Sequence, residues 1–114
     1  MRKREKERKE KKKKDKLWKE EVKNRDKECV ICGQKDQKGR GKGLNAHHLI
    51  PREIKESRHK IWNGITLCTR HHRFSREISA HQNSIAFILW LETNRPEQFK
   101  KIKEFLNEKS RKNN

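Results

Sequence analysis

Seven residues of two types carry most of the chemistry open to this chain. Cys29 and Cys32 form one pair, His47 and His48 are adjacent, and Cys68, His71 and His72 close a third group. All three cysteines and four of the six histidines fall in these segments, with Asn63 shortly before the third. Cys29 and Cys32 are separated by two residues, as are Cys68 and His71. Each such pair can present two ligands to one ion, and two pairs make a tetrahedral zinc site. His72 is an alternative fourth ligand, but the equal gaps favour His71. A redox pair is the other reading of Cys29 and Cys32, and no thioredoxin-like strand–helix pattern surrounds them to support it. The thiols must lose protons to bind, so zinc binding and folding should be coupled.

Once zinc is assigned, His47, His48, Asn63 and His72 are left over. Adjacent residues on a strand point to opposite faces, so His47 and His48 cannot share one role. One can reach a metal together with His72, while the other addresses a water or substrate. A divalent ion held by imidazoles with open positions is a catalytic site rather than a closed structural one.

The elements that must position these groups are small. In 114 residues, 28% are apolar and 43% charged, which bounds the chain to one domain with tails and a modest core. A structural metal supplies what such a core lacks. Three cysteines without an amino-terminal apolar run fit reduced thiols in a cytosolic compartment. The net charge of +17 points to a polyanionic partner, with nucleic acid the usual one. The longest apolar run, 85–91, is far shorter than the ~20 residues a membrane span needs.

The chain divides into a basic helix or tail (1–28), a zinc-braced unit (29–78), packing helices (79–107) and a basic tail (108–114). Residues 1–28 hold fifteen basic and eight acidic residues and no Gly or Pro. They read as a solvated helix, frayed early and docked late through Trp18 and Val22. The loop 34–43 is glycine-rich and basic, positioned to meet phosphate. Strands are expected at 44–50 and 65–67. A helix is expected from Cys68 through His72 and Phe74 to Ile78, with Thr69 near its cap. Asn83 and Ser84 start a helix whose run Ile85 to Leu91 is apolar nearly all round, marking a core helix. Pro96 and Glu97 start the last one. Trp62 and Trp90 read as core, and His59 and His81 as surface histidines.

The order Cys-x-x-Cys, His-His, Asn-Gly-Ile-x-Leu-Cys, x-x-His-His resembles the HNH endonucleases of ββα-metal fold. It covers roughly Cys29 to Arg76. The small size and lysine-rich surroundings are similar to short phage and prophage HNH proteins. The resemblance implies an α+β chain, a small ββα-metal motif braced by structural zinc (Cys29, Cys32, Cys68, His71) with flanking helices. It implies that His47 and His72 bind a catalytic divalent ion and that His48 is the general base. Asn63 would brace the hairpin or orient His48, or in some members meet the metal. Hydrolysis would leave a 5′-phosphate and a 3′-hydroxyl.

His47 stands where many relatives carry Asp, so the site has less negative charge. That shifts the expected metal from Mg²⁺ toward Mn²⁺, Ni²⁺, Co²⁺ or Zn²⁺. His71 stands where Cys is frequent. The implied partner is double-stranded DNA, with phage terminase or other packaging proteins as further partners, and the implied location is the cytoplasm of a bacterial host. Arg70, Arg73 and Arg76 would meet phosphates, or else form a solvated face. The rival reading is a non-catalytic, zinc-stabilised nucleic-acid-binding module or packaging accessory protein.

Overall fold

A computed structural model describes residues 2–35 and 43–112. Most of the basic glycine-rich loop expected at 34–43, namely 36–42, lies outside the described residues. The elements run α1 (Lys3–Asp26), β1 (Leu44–His48), α2 (Lys55–Arg58), β2 (Gly64–Cys68), α3 (Ser84–Asn94) and α4 (Pro96–Lys112). This is a small α+β chain with a two-stranded sheet and helices.

β1 and β2 pair antiparallel, with Leu44 opposite Cys68 and His48 opposite Gly64. Strand alternation divides their side chains between two faces. Ala46, His48, Gly64 and Thr66 share the face toward α1. His47, Ile65 and Leu67 share the other, where Ile65 and Leu67 join Phe87, Leu91 and Ile102 in the apolar core.

The long α1 begins at Lys3 and stops where Lys27 turns left-handed at φ 65. Only Trp18 and Val22 are buried along it. They lie one turn apart and meet β2. Trp18 Nε1 donates to Lys60 O at 2.8 Å, and Thr66 Oγ1 donates to Val22 O at 3.3 Å. Asp26 ends the helix in a buried polar knot. Its carboxylate accepts from Thr66 N (2.9 Å), Arg25 Nε (2.8 Å) and Arg95 Nη2 (3.3 Å). Burial alone would raise its pKa, but those donors hold it below the ordinary carboxylate value.

Gly64 makes this docking possible. A Cβ there would sit 2.5 Å from Val22 Cγ2 and 2.6 Å from Trp18 Cζ2. Gly64→Ala should therefore push α1 off the sheet and destabilise the fold by about 1–3 kcal/mol, the usual scale of overpacking. A lowered urea midpoint at unchanged slope checks this.

Three expectations give way. The helix foreseen from Cys68 to Ile78 is one wide turn, Arg70–Phe74, closed when Ser75 N donates to Arg70 O at 2.8 Å. Thr69 makes no side-chain cap there. The chain then doubles back, and Ala80 N and His81 N donate to His71 O (3.0 Å) and His72 O (3.1 Å). These backbone bonds replace the helical ones.

Second, α3 is no fully buried core helix. Phe87 and Leu91 are buried, while Ile85 (73%), Leu89 (59%) and Ile88 (49%) are exposed. Its cap is as expected, with Asn83 Oδ1 accepting from Ala86 N at 3.1 Å. Third, α4 continues to Lys112, so residues 108–112 are helical rather than a tail. On α4, Ile102 is buried and Phe99 and Phe105 pack at the core margin, but Leu106 is 44% exposed. Trp62 and Trp90 are partly buried at that margin, Trp62 against Phe105.

Candidate active site and metal centre

Two side-chain clusters with metal-binding chemistry flank the Arg70–Phe74 turn. The first joins Cys29, Cys32, Cys68 and His71. Cys29–Cys32 forms a knuckle because Gly33, at φ +78, reverses the chain and its N–H donates to Cys29 O at 2.8 Å. Val30 N donates to Thr66 O at 3.1 Å, which docks the knuckle on β2.

The donor atoms already have the spacing of a shared ion. Cys32 Sγ and Cys68 Sγ are 3.7 Å apart. His71 Nδ1 lies 3.2 Å from Cys68 Sγ and 3.8 Å from Cys29 Sγ. Tetrahedral zinc bonds of about 2.3 Å to sulfur and about 2.0 Å to nitrogen put donors roughly 3.5–3.8 Å apart. The protonation states agree. Burial and the neighbouring thiolate of Cys29 push Cys68 up to about 11. Cys29 is lowered, because backbone N–H groups, Cys68 first, outweigh its burial. Three sulfurs so close together, two of them buried, resist losing all their protons without a cation, so a dication suits the cluster.

The second cluster joins His47, His72 and His81, whose ligating nitrogens all lie within 4.8 Å of one another. His72 Nε2 and His81 Nε2 are 3.2 Å apart, close to the roughly 3.0–3.4 Å that two imidazoles show on one ion at about 2.0–2.1 Å. The three rings meet edge to face, and His47 also meets Phe87 that way, with centroids 5.9 Å apart. Burial, and then the neighbouring imidazoles, lower His47 to about 3; burial and His81 lower His72 to about 4. Both are therefore neutral near pH 7, the state a metal ligand needs. His72 Nδ1 is buried without a hydrogen-bond partner, the sort of exception that calls for an ion or a function.

His81 is at the surface, as expected, but it has company there. Its ring belongs to this cluster. No spacing rule marks it, since it reaches His72 across the irregular return of the chain at 75–81.

His48 points away from that cluster, as its place on the other face of β1 requires. Its ring stacks on Trp18 with centroids 3.8 Å apart and planes within 8°. His48 Nε2 lies 3.0 Å from Arg58 O. A carbonyl can only accept, so Nε2 carries the proton and Nδ1 is the basic nitrogen of the neutral ring. Burial, the largest influence, lowers its pKa, so the neutral form dominates near pH 7.

Asn63 is wholly buried, and its amide is spent on backbone. Oδ1 accepts from Ile50 N at 2.6 Å, and Nδ2 donates to Ile50 O and Ser57 O at 3.1 Å each. It is a brace holding the segment after β1 against α2, the segment that carries Arg58. Asn63 ends a short turn, Ile61–Asn63, and Gly64 opens β2, so the pair makes no hairpin turn.

A family model described as HNH endonuclease matches residues 29–76. That segment belongs to the HNH endonuclease family. The match supports a nuclease function, and HNH nucleases act on DNA with divalent metals. No curated protein and no solved structure matches the chain. The HNH segment contains the Cys3His cluster, both strands, His48 and Asn63, but it stops short of His81 and begins after α1. Arg70, Arg73 and Arg76 are exposed around the HNH turn that carries His72. His59 is half-buried with Nε2 2.6 Å from Asp15 Oδ1, away from both clusters. No helix among the described residues is long and apolar enough to cross a membrane.

Proposed function

We propose that this chain is a metal-dependent endonuclease that hydrolyses phosphodiester bonds in double-stranded DNA. What carries this reading is the 3.0 Å contact between His48 Nε2 and Arg58 O. With Nε2 donating to Arg58 O, the ring has one free basic nitrogen at the end of the strand whose other face bears the imidazole cluster.

In this reading Cys29, Cys32, Cys68 and His71 hold structural zinc, which fixes the turn carrying His72. His47, His72 and His81 hold the catalytic ion. A divalent ion there would stabilise charge developing on the phosphate and on the leaving oxygen. Three imidazoles and no carboxylate favour Mn²⁺, Co²⁺, Ni²⁺ or Zn²⁺ over Mg²⁺.

The scissile phosphate lies across the end of β1. His48 Nδ1 takes a proton from water as the water oxygen attacks phosphorus. The bond from phosphorus to the 3′-oxygen breaks, and that oxygen gains a proton from solvent, leaving a 3′-hydroxyl and a 5′-phosphate. Asn63 acts through the backbone, holding the segment that presents Arg58 O. Arg70, Arg73 and Arg76 bind flanking phosphates, and the basic residues of α1 extend that contact. Such contacts place the duplex without reading its sequence. A purely DNA-binding module would have no use for a second imidazole cluster once the zinc ligands are satisfied.

Zinc-loaded protein incubated with supercoiled plasmid and Mg²⁺, Mn²⁺, Co²⁺, Ni²⁺ or Zn²⁺ tests this. Nicking that needs an added ion, leaves ends that DNA ligase reseals, and is lost in His72→Ala is the expected result. Plasmid binding without cleavage under every ion would favour the binding module.

A further inference from the structure

His48 lies inside the HNH segment, but one of the two groups against its ring comes from α1, outside it. Trp18 covers one face of the imidazole. The carbonyl that receives Nε2–H belongs to Arg58, the last residue of α2. One helical turn gives that carbonyl little stiffness of its own.

Asn63 restrains α2 through Ser57 O, and Asp15 adds a second restraint through the Arg58 side chain. Arg58 Nε donates to Asp15 Oδ1 at 2.9 Å and Nη2 donates to Oδ2 at 2.7 Å, a two-bond fork. Arg58 Nη1 donates to Arg52 O at 3.2 Å. The Arg58 hydrogen bond, followed by His59, holds the Asp15 carboxyl well below its ordinary pKa. Asp15 and Trp18 are three residues apart on one face of α1. Gly64, opposite His48 in the sheet, leaves the space that Trp18 fills.

Partly exposed ion pairs add little to stability. The consequence of this one is orientation. With its guanidinium committed to Asp15, Arg58 is also not a free phosphate ligand.

We infer that Asp15 is a positioning residue for His48, acting through Arg58 beside the Trp18 stack. It sets the acceptor that fixes which nitrogen is protonated. The basic amino-terminal helix is thus part of the catalytic apparatus as well as a DNA-contacting arm. The inference rests on His48 being the general base, but the state of its ring can be read without any cleavage.

The test uses full-length, zinc-loaded protein in four forms: wild type, Asp15→Ala, Asp15→Asn and the exposed α1 control Glu20→Ala. Ring nitrogen and carbon chemical shifts report the His48 tautomer, and plasmid nicking gives kcat and KM. In wild type and Glu20→Ala, His48 should be the single Nε2-protonated tautomer. In Asp15→Ala the tautomers should mix and kcat should fall about tenfold or more, with KM nearly unchanged, as expected for a misplaced catalytic group. Asp15→Asn should move both readouts the same way, and it decides the matter if Asp15→Ala does not fold. An unchanged tautomer and an unchanged kcat in a folded Asp15 variant would overturn the inference. If wild type proves inactive, the tautomer comparison alone decides it: mixing on loss of Asp15 upholds the positioning role while the nuclease reading fails, and no mixing overturns it.

Discussion

His48→Ala should lower plasmid nicking by ~10²–10⁴-fold, the range that general-base catalysis supplies, while leaving zinc content and fold in place. The side chain is half-buried at the end of β1, and its contacts are Trp18 and one carbonyl. Its loss removes a stacking partner worth about 0.5–1.5 kcal/mol, too little to unfold the sheet. His47, His72 and His81 lie on the other face and keep their arrangement, so ion binding there should survive. Single-turnover nicking, with zinc content and circular dichroism measured on the same sample, checks the prediction. Cleavage at the wild-type rate would remove His48 from the role of base.

Removal of zinc should have the largest effect on the fold. Structural zinc binds zinc-finger peptides with about 10–16 kcal/mol, as much as the whole stability of an ordinary domain, about 5–15 kcal/mol. The apolar core here is small, and two of its members, Cys29 and Cys68, belong to the Cys3His cluster. Without the ion, the thiols must be buried protonated or repel as thiolates. The knuckle then keeps a few backbone bonds, such as Val30 N to Thr66 O and Cys29 N to Gln34 O. Chelation, or Cys68→Ser, should therefore abolish cooperative thermal unfolding. Ion binding by the imidazole cluster should be lost with it, because His71 and His72 share one turn. A sharp unfolding transition in metal-free protein would contradict this.

The site was legible in the sequence where its chemistry is local. Equal gaps in two pairs point to the Cys3His cluster, and strand alternation separates His47 from His48. Trp18 and Val22, one turn apart in a charged helix, mark the docking face of α1. The rest depends on how the chain returns. His81 reaches His72 through backbone bonds of an irregular segment, which leave no side-chain pattern. Asp15 meets Arg58 across 43 residues, and nothing in a run of alternating charges distinguishes one carboxylate as structural. The apolar run of α3 reads as buried all round, yet only Phe87 and Leu91 are buried, because the sheet and α4 cover one side of it. Hydropathy gives the amount of apolar surface, and tertiary packing decides which part is covered.

Whether the imidazole cluster holds the catalytic ion is decided by the nicking rate of zinc-loaded protein as a second divalent ion is titrated in, with bound metal counted at each step. Cleavage should be negligible with zinc in the Cys3His cluster alone, then rise with occupancy of one further site per chain and saturate with it. His72→Ala should lose both the second ion and the activity. A second ion that binds fully without producing cleavage, or cleavage that does not follow its occupancy, would rule out a catalytic ion at the imidazole cluster.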